Sequence, residues 1–162
     1  FRQLEGFADF IVVDTGAGIS SNVLQFARAA DEVVVITTPE PTSITDGYAM
    51  IKTVSREKGC GPIRLVVNQA IDRAEAGQVC ERIRMVSQRF LGLDVANLGY
   101  ILTDDRVRRS VRRRRPFVVE TPRGPASTCV KQICNKLLGE ESTDRKASFY
   151  RRFSAVLQGE EM

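Results

Sequence analysis

The sequence predicts an α/β fold, a parallel β-sheet with helices on both faces. Three observations predict it. Apolar runs at 10–13, 33–37 and 63–67 are continuous rather than alternating, as in strands buried on both faces. Between them lie stretches with helical apolar spacing, so strands and helices alternate as in βαβ units. The chain of 162 residues, 43% apolar and 27% charged, has the composition of one ordinary globular domain.

The elements follow in order. Phe10-Ile11-Val12-Val13 is the first expected strand, ending in Asp14 and the Gly-rich turn Thr15-Gly16-Ala17-Gly18. Residues 20–30 read as a helix through Val23, Phe26, Ala27 and Ala30. Val33 to Thr37 is the second strand, broken by Thr38-Pro39-Glu40-Pro41. Thr42 or Ser43 is the expected cap of the next helix, with Asp46 suited to its positive first turn. Ile44, Tyr48, Ile51 and Val54 form the apolar face of that helix, and Gly59, Gly61 and Pro62 end it. Ile63 to Val67 is the third strand, ending at Asn68. A helix over about 74–91 carries Val79, Ile83, Val86 and Phe90. Residues 95–102 form a fourth strand, interrupted by Asn97 and Gly99. Asp104 and Asp105 open a helix with Val107 and Val111 inward, stopped by Pro116. Phe117 to Val119 is a short extended piece, and Pro125 starts a last core helix bearing Ala126, Val130, Ile133 and Leu137. This organises the chain as a domain over 1–138, a polar linker over 139–147 and a short amphipathic helix over 148–158.

Composition excludes several chemistries. There is no His, which removes Ser-His-Asp triads, Cys-His pairs and His-ligated metal sites. Cys60, Cys80, Cys129 and Cys134 contain no C-x-x-C spacing and read as reduced thiols of a cytosolic chain. No apolar run approaches the roughly 20 residues that span a bilayer, and no signal peptide is visible. The chain starts at Phe1 rather than Met, which reads as part of a longer protein.

In an open α/β sheet, ligands bind beyond the C-terminal ends of the strands. Asp14 at one such end can hold Mg²⁺ through water, with Gly16 and Gly18 letting backbone N–H groups approach a terminal phosphate; the same residues also make a plain strand-to-helix turn. Asn68 can read an adenine edge through its amide, or close an Asx-turn. The loop 102–105, with Asp104, can join the site or simply cap a helix.

Together these residues have a family look. Residues 9–20, DFIVVDTGAGIS, resemble the Walker B and switch II stretch of the MinD/ParA ATPases, which carry a deviant Walker A loop. The combination with TTPEPTSITDGYAMIK is similar to the flagellar-number regulators of the FlhG (FleN) type. The likeness continues through Val66-Val67-Asn68, Gly99-Tyr100-Ile101, residues 105–111 and Pro116-Phe117-Val118, covering about residues 7–138. It implies a three-layer P-loop NTPase fold that binds ATP and Mg²⁺, forms a homodimer around the nucleotide and hydrolyses it slowly. By the resemblance, Asp14 is the Mg²⁺-water ligand and catalytic carboxylate, and Asp14, Thr15, Gly16, Asn68 and Asp104 contact the cofactor. Glu40, Pro41 and Asp46 fall near the dimer and partner surface. The implied partner is a flagellar GTPase of the signal-recognition type, or a basal-body or regulatory protein. The sequence departs from the family in two ways. No Gly-Lys-Thr or Gly-Lys-Ser occurs in it, and Ile101-Leu102-Thr103-Asp104 replaces the frequent Ile-Pro-x-Asp. Without the P-loop amides and lysines these 162 residues alone are expected to turn over no ATP; the alternative readings are a ParA-like partition ATPase that binds DNA non-specifically, or a non-catalytic interaction module that has lost its nucleotide site.

Charge is uneven, net −2 over residues 1–100 and +6 over 101–162, with seven Arg between 106 and 115. That run is a solvated helix face, or a contact for anionic membrane or for DNA, as in ParA-type relatives. Phe149, Phe153, Val156 and Leu157 make one narrow apolar face flanked by Arg151 and Arg152. It suits an anionic membrane surface, or docks on its own domain. The resulting expectation is a cytoplasmic protein, peripheral at the inner face of the plasma membrane.

Overall fold

The computed structural model describes residues 8–139. Of the linker expected over 139–147, Gly139 ends the last helix, while residues 140–147 and the amphipathic tail over 148–158 lie outside the described residues. Nine elements run in the order α1 (Ser21–Ala29), β1 (Val33–Thr37), α2 (Pro41–Val54), β2 (Ile63–Ala70), α3 (Arg73–Leu91), β3 (Ala96–Leu102), α4 (Asp105–Arg112), α5 (Phe117–Glu120) and α6 (Pro125–Gly139). The sheet is three-stranded and parallel, in the order β1-β2-β3. Each strand is followed by a helix that returns the chain to the opposite end, so all three C-terminal ends emerge at one edge.

Ile51, Val54, Leu65, Val67, Ile83 and Val95 are almost wholly buried and form the main core, where α2 and α3 cover one face of the sheet. Tyr100 packs against this core, whereas a side chain at its neighbour Gly99 would meet Ile133 of α6. Successive strand residues point to opposite faces, so α6 covers the other face and the molecule has three layers. The interruption expected at Asn97 and Gly99 is a bulge: Leu65 pairs with Asn97 and Val66 with Gly99, leaving Leu98 as the extra residue, itself buried. Gly99 lets α6 approach the sheet closely.

Several expectations are corrected. Phe10 to Val13 is not a strand of this sheet; it is unpaired, and Val12 is 90% exposed. A parallel strand needs a hydrogen-bonded neighbour and covering layers, and the described residues supply neither to this segment. The outer face of β1 is open for a related reason. Ile36 pairs in register with Val66 and shares its face, yet Val66 is buried while Ile36 stays 62% exposed. Residues 117–119 form one turn of helix, because Pro116 at the N-cap sets the entry and Thr121 N–H closes on the Phe117 carbonyl at 2.8 Å. Val111 faces solvent and the small Ser110 is buried in its place, since the packed side of α4 lies against α5. Phe90 is exposed, with the Arg89 guanidinium over its ring at 5.4 Å. Neither Thr42 nor Ser43 caps α2: Glu40 is the N-cap and Pro41 occupies the first turn, where a missing N–H costs nothing. The cap of α3 is Asp72, whose carboxylate accepts from Glu75 N–H at 2.8 Å. No disulfide joins the cysteines: Cys80 and Cys129 are buried, Cys60 half-buried and Cys134 exposed.

Two glycines make opposite predictions. A methyl group at Gly61 would run into the backbone carbonyl of Asp31, whereas one at Gly77 in α3 meets nothing within 4 Å. Gly61→Ala is expected to lower stability by about 1–3 kcal/mol. Gly77→Ala is expected to raise it by about 0.5–1 kcal/mol. Urea midpoints moving in opposite directions would bear out both.

Candidate functional site

The C-terminal edge of the sheet gathers three loops. After β1, Thr37 is buried and its hydroxyl lies 3.1 Å from that of Ser43, whose Oγ also accepts Thr38 N–H at 2.9 Å. Gly47 leaves room for Thr37, a Cβ there coming within 3.4 Å of it. These contacts fix the start of α2. Glu40, Pro41 and Asp46 are all exposed, and Pro41 and Asp46 line a shallow depression of about 370 Å³ with Thr42 and Thr45.

After β2, Asn68 is half-buried and its Oδ1 accepts the N–H of Gln69 at 2.9 Å. Gln69 holds φ +58°, a left-handed conformation unusual for a residue with a side chain. The amide oxygen is thus held by the N–H of the next residue, one short of the i+2 bond of an Asx-turn, and among the described residues one Oδ1 lone pair and both Nδ2 protons have no partner.

After β3, Thr103 clasps this loop. Its hydroxyl donates to the Gln69 carbonyl at 2.9 Å and its N–H to the Ala70 carbonyl at 2.8 Å. Asp104 follows as N-cap of α4, with Oδ1 accepting Arg106 N–H at 2.9 Å. Its other oxygen, Oδ2, is buried and has no hydrogen-bond partner among the described residues. A side chain at Gly124 would approach that oxygen within 3.1 Å, so the glycine keeps the space open. Asn68 and Asp104 are in this way held in bonded neighbouring loops. Gln69 and Gly124 were not among the residues singled out in the sequence, and Thr103 was named there only as part of the 101–104 stretch. Only Gly124, just before the helix-starting Pro125, carried a visible turn signal.

Asp14, Thr15 and Gly16 lie apart from this group. All three are exposed, a Cβ at Gly16 would meet nothing within 4 Å, and the turn ends at Gly18 with φ +97°. No hydrogen bond or ion pair joins Asp14 to the other loops among the described residues. No cluster of three His, Cys, Asp or Glu side chains that could hold a metal occurs there either. The donor set fits one carboxylate offered to a Mg²⁺ that keeps its waters and takes its other ligands from a phosphate. The expected membrane residues Phe149, Arg151, Arg152, Phe153, Val156 and Leu157 lie outside the described residues. No helix among the described residues is long and apolar enough to cross a membrane.

Beside Asp104 the arginine run follows α4. Arg113 reaches Glu120 of α5 at 2.6 Å. A hydrogen bond from Ser110 and then the Arg113 guanidinium hold the Glu120 carboxyl below its ordinary value of 4.5, with Arg115 adding to the effect. A carboxylate whose pKa is lowered by folding stabilises above its unfolded pKa and loses that support as pH falls through the folded one. The stability advantage of the natural chain over Glu120→Gln is therefore expected to be full at neutral pH and to shrink below about pH 4.5, read as paired urea midpoints.

No family model matches the chain. It is 36% identical to the antiactivator FleN of Pseudomonas aeruginosa over 137 residues, which is 85% of this chain and 49% of FleN. It is 35% identical to the flagellum site-determining protein YlxH of Helicobacter pylori, over 83% of this chain and 46% of that protein. Against the septum site-determining protein MinD of Bacillus subtilis the identity is 28%, over 86% and 50%. The chain thus spans about half the length of the curated relatives it matches. Among solved structures, the MinD cell division protein of Aquifex aeolicus superposes with TM-score 0.64 at 24% identity, covering 87% of this chain and 58% of that one. MinD of Pyrococcus horikoshii, solved with Mg-ADP, gives TM-score 0.64 at 21% identity over 90% and 56%.

Proposed function

We propose, from the similarity to FleN, YlxH and MinD over most of this chain, that it belongs with the MinD-like proteins and is the C-terminal part of an ATP-dependent dimerisation switch that sets flagellar number or placement at the membrane. The observation that carries this reading is the clasp at the sheet edge. It presents the open donors of Asn68 beside the unpartnered carboxylate oxygen of Asp104, and a half-satisfied amide held at a strand end suits an adenine edge.

In this reading ATP and Mg²⁺ are the cofactors. Asn68 accepts from the base amino group and donates to its ring nitrogen, while Asp104 borders the base. Asp14 orients a Mg²⁺-bound water, and Thr15 and Gly16 offer backbone N–H groups to the terminal phosphate. Bound Mg²⁺ neutralises phosphate charge. The phosphate-binding lysines that turnover needs are absent from these 162 residues, so turnover is proposed for the whole protein. There Phe10 to Val13 finds its sheet partner and carries Asp14 to the site. Nucleotide favours a homodimer and membrane attachment by binding that state more tightly. Glu40, Pro41 and Asp46 form the dimer and partner surface, with a flagellar GTPase or a basal-body or regulatory protein as partner. Phe149, Phe153, Val156 and Leu157, with Arg151 and Arg152, hold the protein peripherally at the cytoplasmic face of the plasma membrane.

Titration of the full-length protein with a fluorescent ADP analogue tests the site. Asn68→Ala is expected to weaken binding about tenfold, near 1.4 kcal/mol. Asp14→Ala is expected to abolish the gain in affinity from Mg²⁺ while leaving metal-free binding unchanged. Unaltered affinity in Asn68→Ala would remove the base site from this edge. Separately, Phe153→Glu is expected to release the protein from phosphatidylglycerol vesicles in co-sedimentation without changing nucleotide affinity.

A further inference from the structure

The arginine run forms more than a charged face. Arg106, Arg109 and Arg113 follow one another along one side of α4 and its C-cap. With Ser110, Thr121 and Glu120 they line a cleft of about 280 Å³ between α4 and α5. Arg113 is neutralised by Glu120 at 2.6 Å. Arg106 and Arg109 have no carboxylate partner among the described residues. The cleft therefore holds three guanidinium groups and one carboxylate. That carboxylate is itself an oxyanion, and Arg113 already donates one guanidinium N–H to it.

The framework around the cleft is fixed. Ser110 is 1% exposed and anchors α4, and its carbonyl accepts the N–H groups of Arg113 and Arg115. Arg114 takes φ +52° to turn the chain back toward α5. Thr121 closes the far side, its hydroxyl donating to the Phe117 carbonyl at 3.0 Å. The run contains Arg and no Lys. Guanidinium forks match the paired oxygens of a phosphate, whereas an ammonium acts as a point charge. Arg108 and Arg112 do not line the cleft.

From this geometry we infer that the α4–α5 cleft is a binding site for a phosphate group, held by Arg106 and Arg109 beside the Arg113–Glu120 pair. The phosphate can come from a free phosphate or pyrophosphate, or from a lipid headgroup. The site is separate from the nucleotide reading given above and does not depend on it.

The test is calorimetric titration of the full-length protein, saturated with Mg-ADP, with two probes: inorganic pyrophosphate, and dihexanoyl phosphatidic acid below its micelle concentration. Arg106→Gln/Arg109→Gln is compared with the control Arg108→Gln/Arg112→Gln, which removes the same charge from the same helix outside the cleft. The expected result is a loss of about tenfold or more for the first pair and little change for the second. Binding of pyrophosphate identifies a free phosphate as the source, and binding of the lipid alone identifies a headgroup. Equal losses in both double variants would mean a diffuse basic surface and overturn the site. So would binding that neither variant changes, or no binding of either probe.

Discussion

The parallel pairing of β1, β2 and β3 is the constraint on which the rest depends. Parallel register sends every strand out at the same edge, so the Thr37–Glu40, Asn68–Ala70 and Thr103–Asp104 segments meet there. The bulge that displaces Leu98 tunes this arrangement, because it sets how far β3 runs before Thr103 reaches Gln69 and Ala70. An antiparallel arrangement of the same residues would scatter the three loops to opposite ends.

Much of this was legible in the sequence. The unalternating runs at 33–37 and 63–67 became β1 and β2, and α3 ended within a residue of the expected place at the left-handed Gly92. The motif at the strand ends carried the family, because such motifs are local in sequence. The illegible parts are those in which tertiary contact overrides local preference. Ser43 is a good capping residue that here serves Thr38 instead. Gln69 has no compositional mark of a left-handed residue; its conformation is imposed by the bonds on both sides of it. Phe10 to Val13 reads as a buried strand from its composition, which is blind to whether a neighbour exists, and the described residues supply none.

The loops at the sheet edge and the arginine cleft adjoin. Asp104 caps the helix that carries Arg106, and Thr121, which lines the cleft, also lies against Gly124 and so beside the buried Asp104 oxygen. A rigid element shared by two candidate sites is a means by which an anion bound at one can change affinity at the other, and such coupling is reciprocal.

The uncovered face of β1 has a consequence for how the protein comes into being. Ile36 and Val34 present a parallel edge with apolar side chains to solvent, and Phe10 to Val13 adds a second unpaired apolar stretch. Unpaired strands of this kind template association between nascent chains. Any stretch of the protein limited to these elements is thus a poor soluble unit, prone to form inclusion bodies and to need chaperone protection.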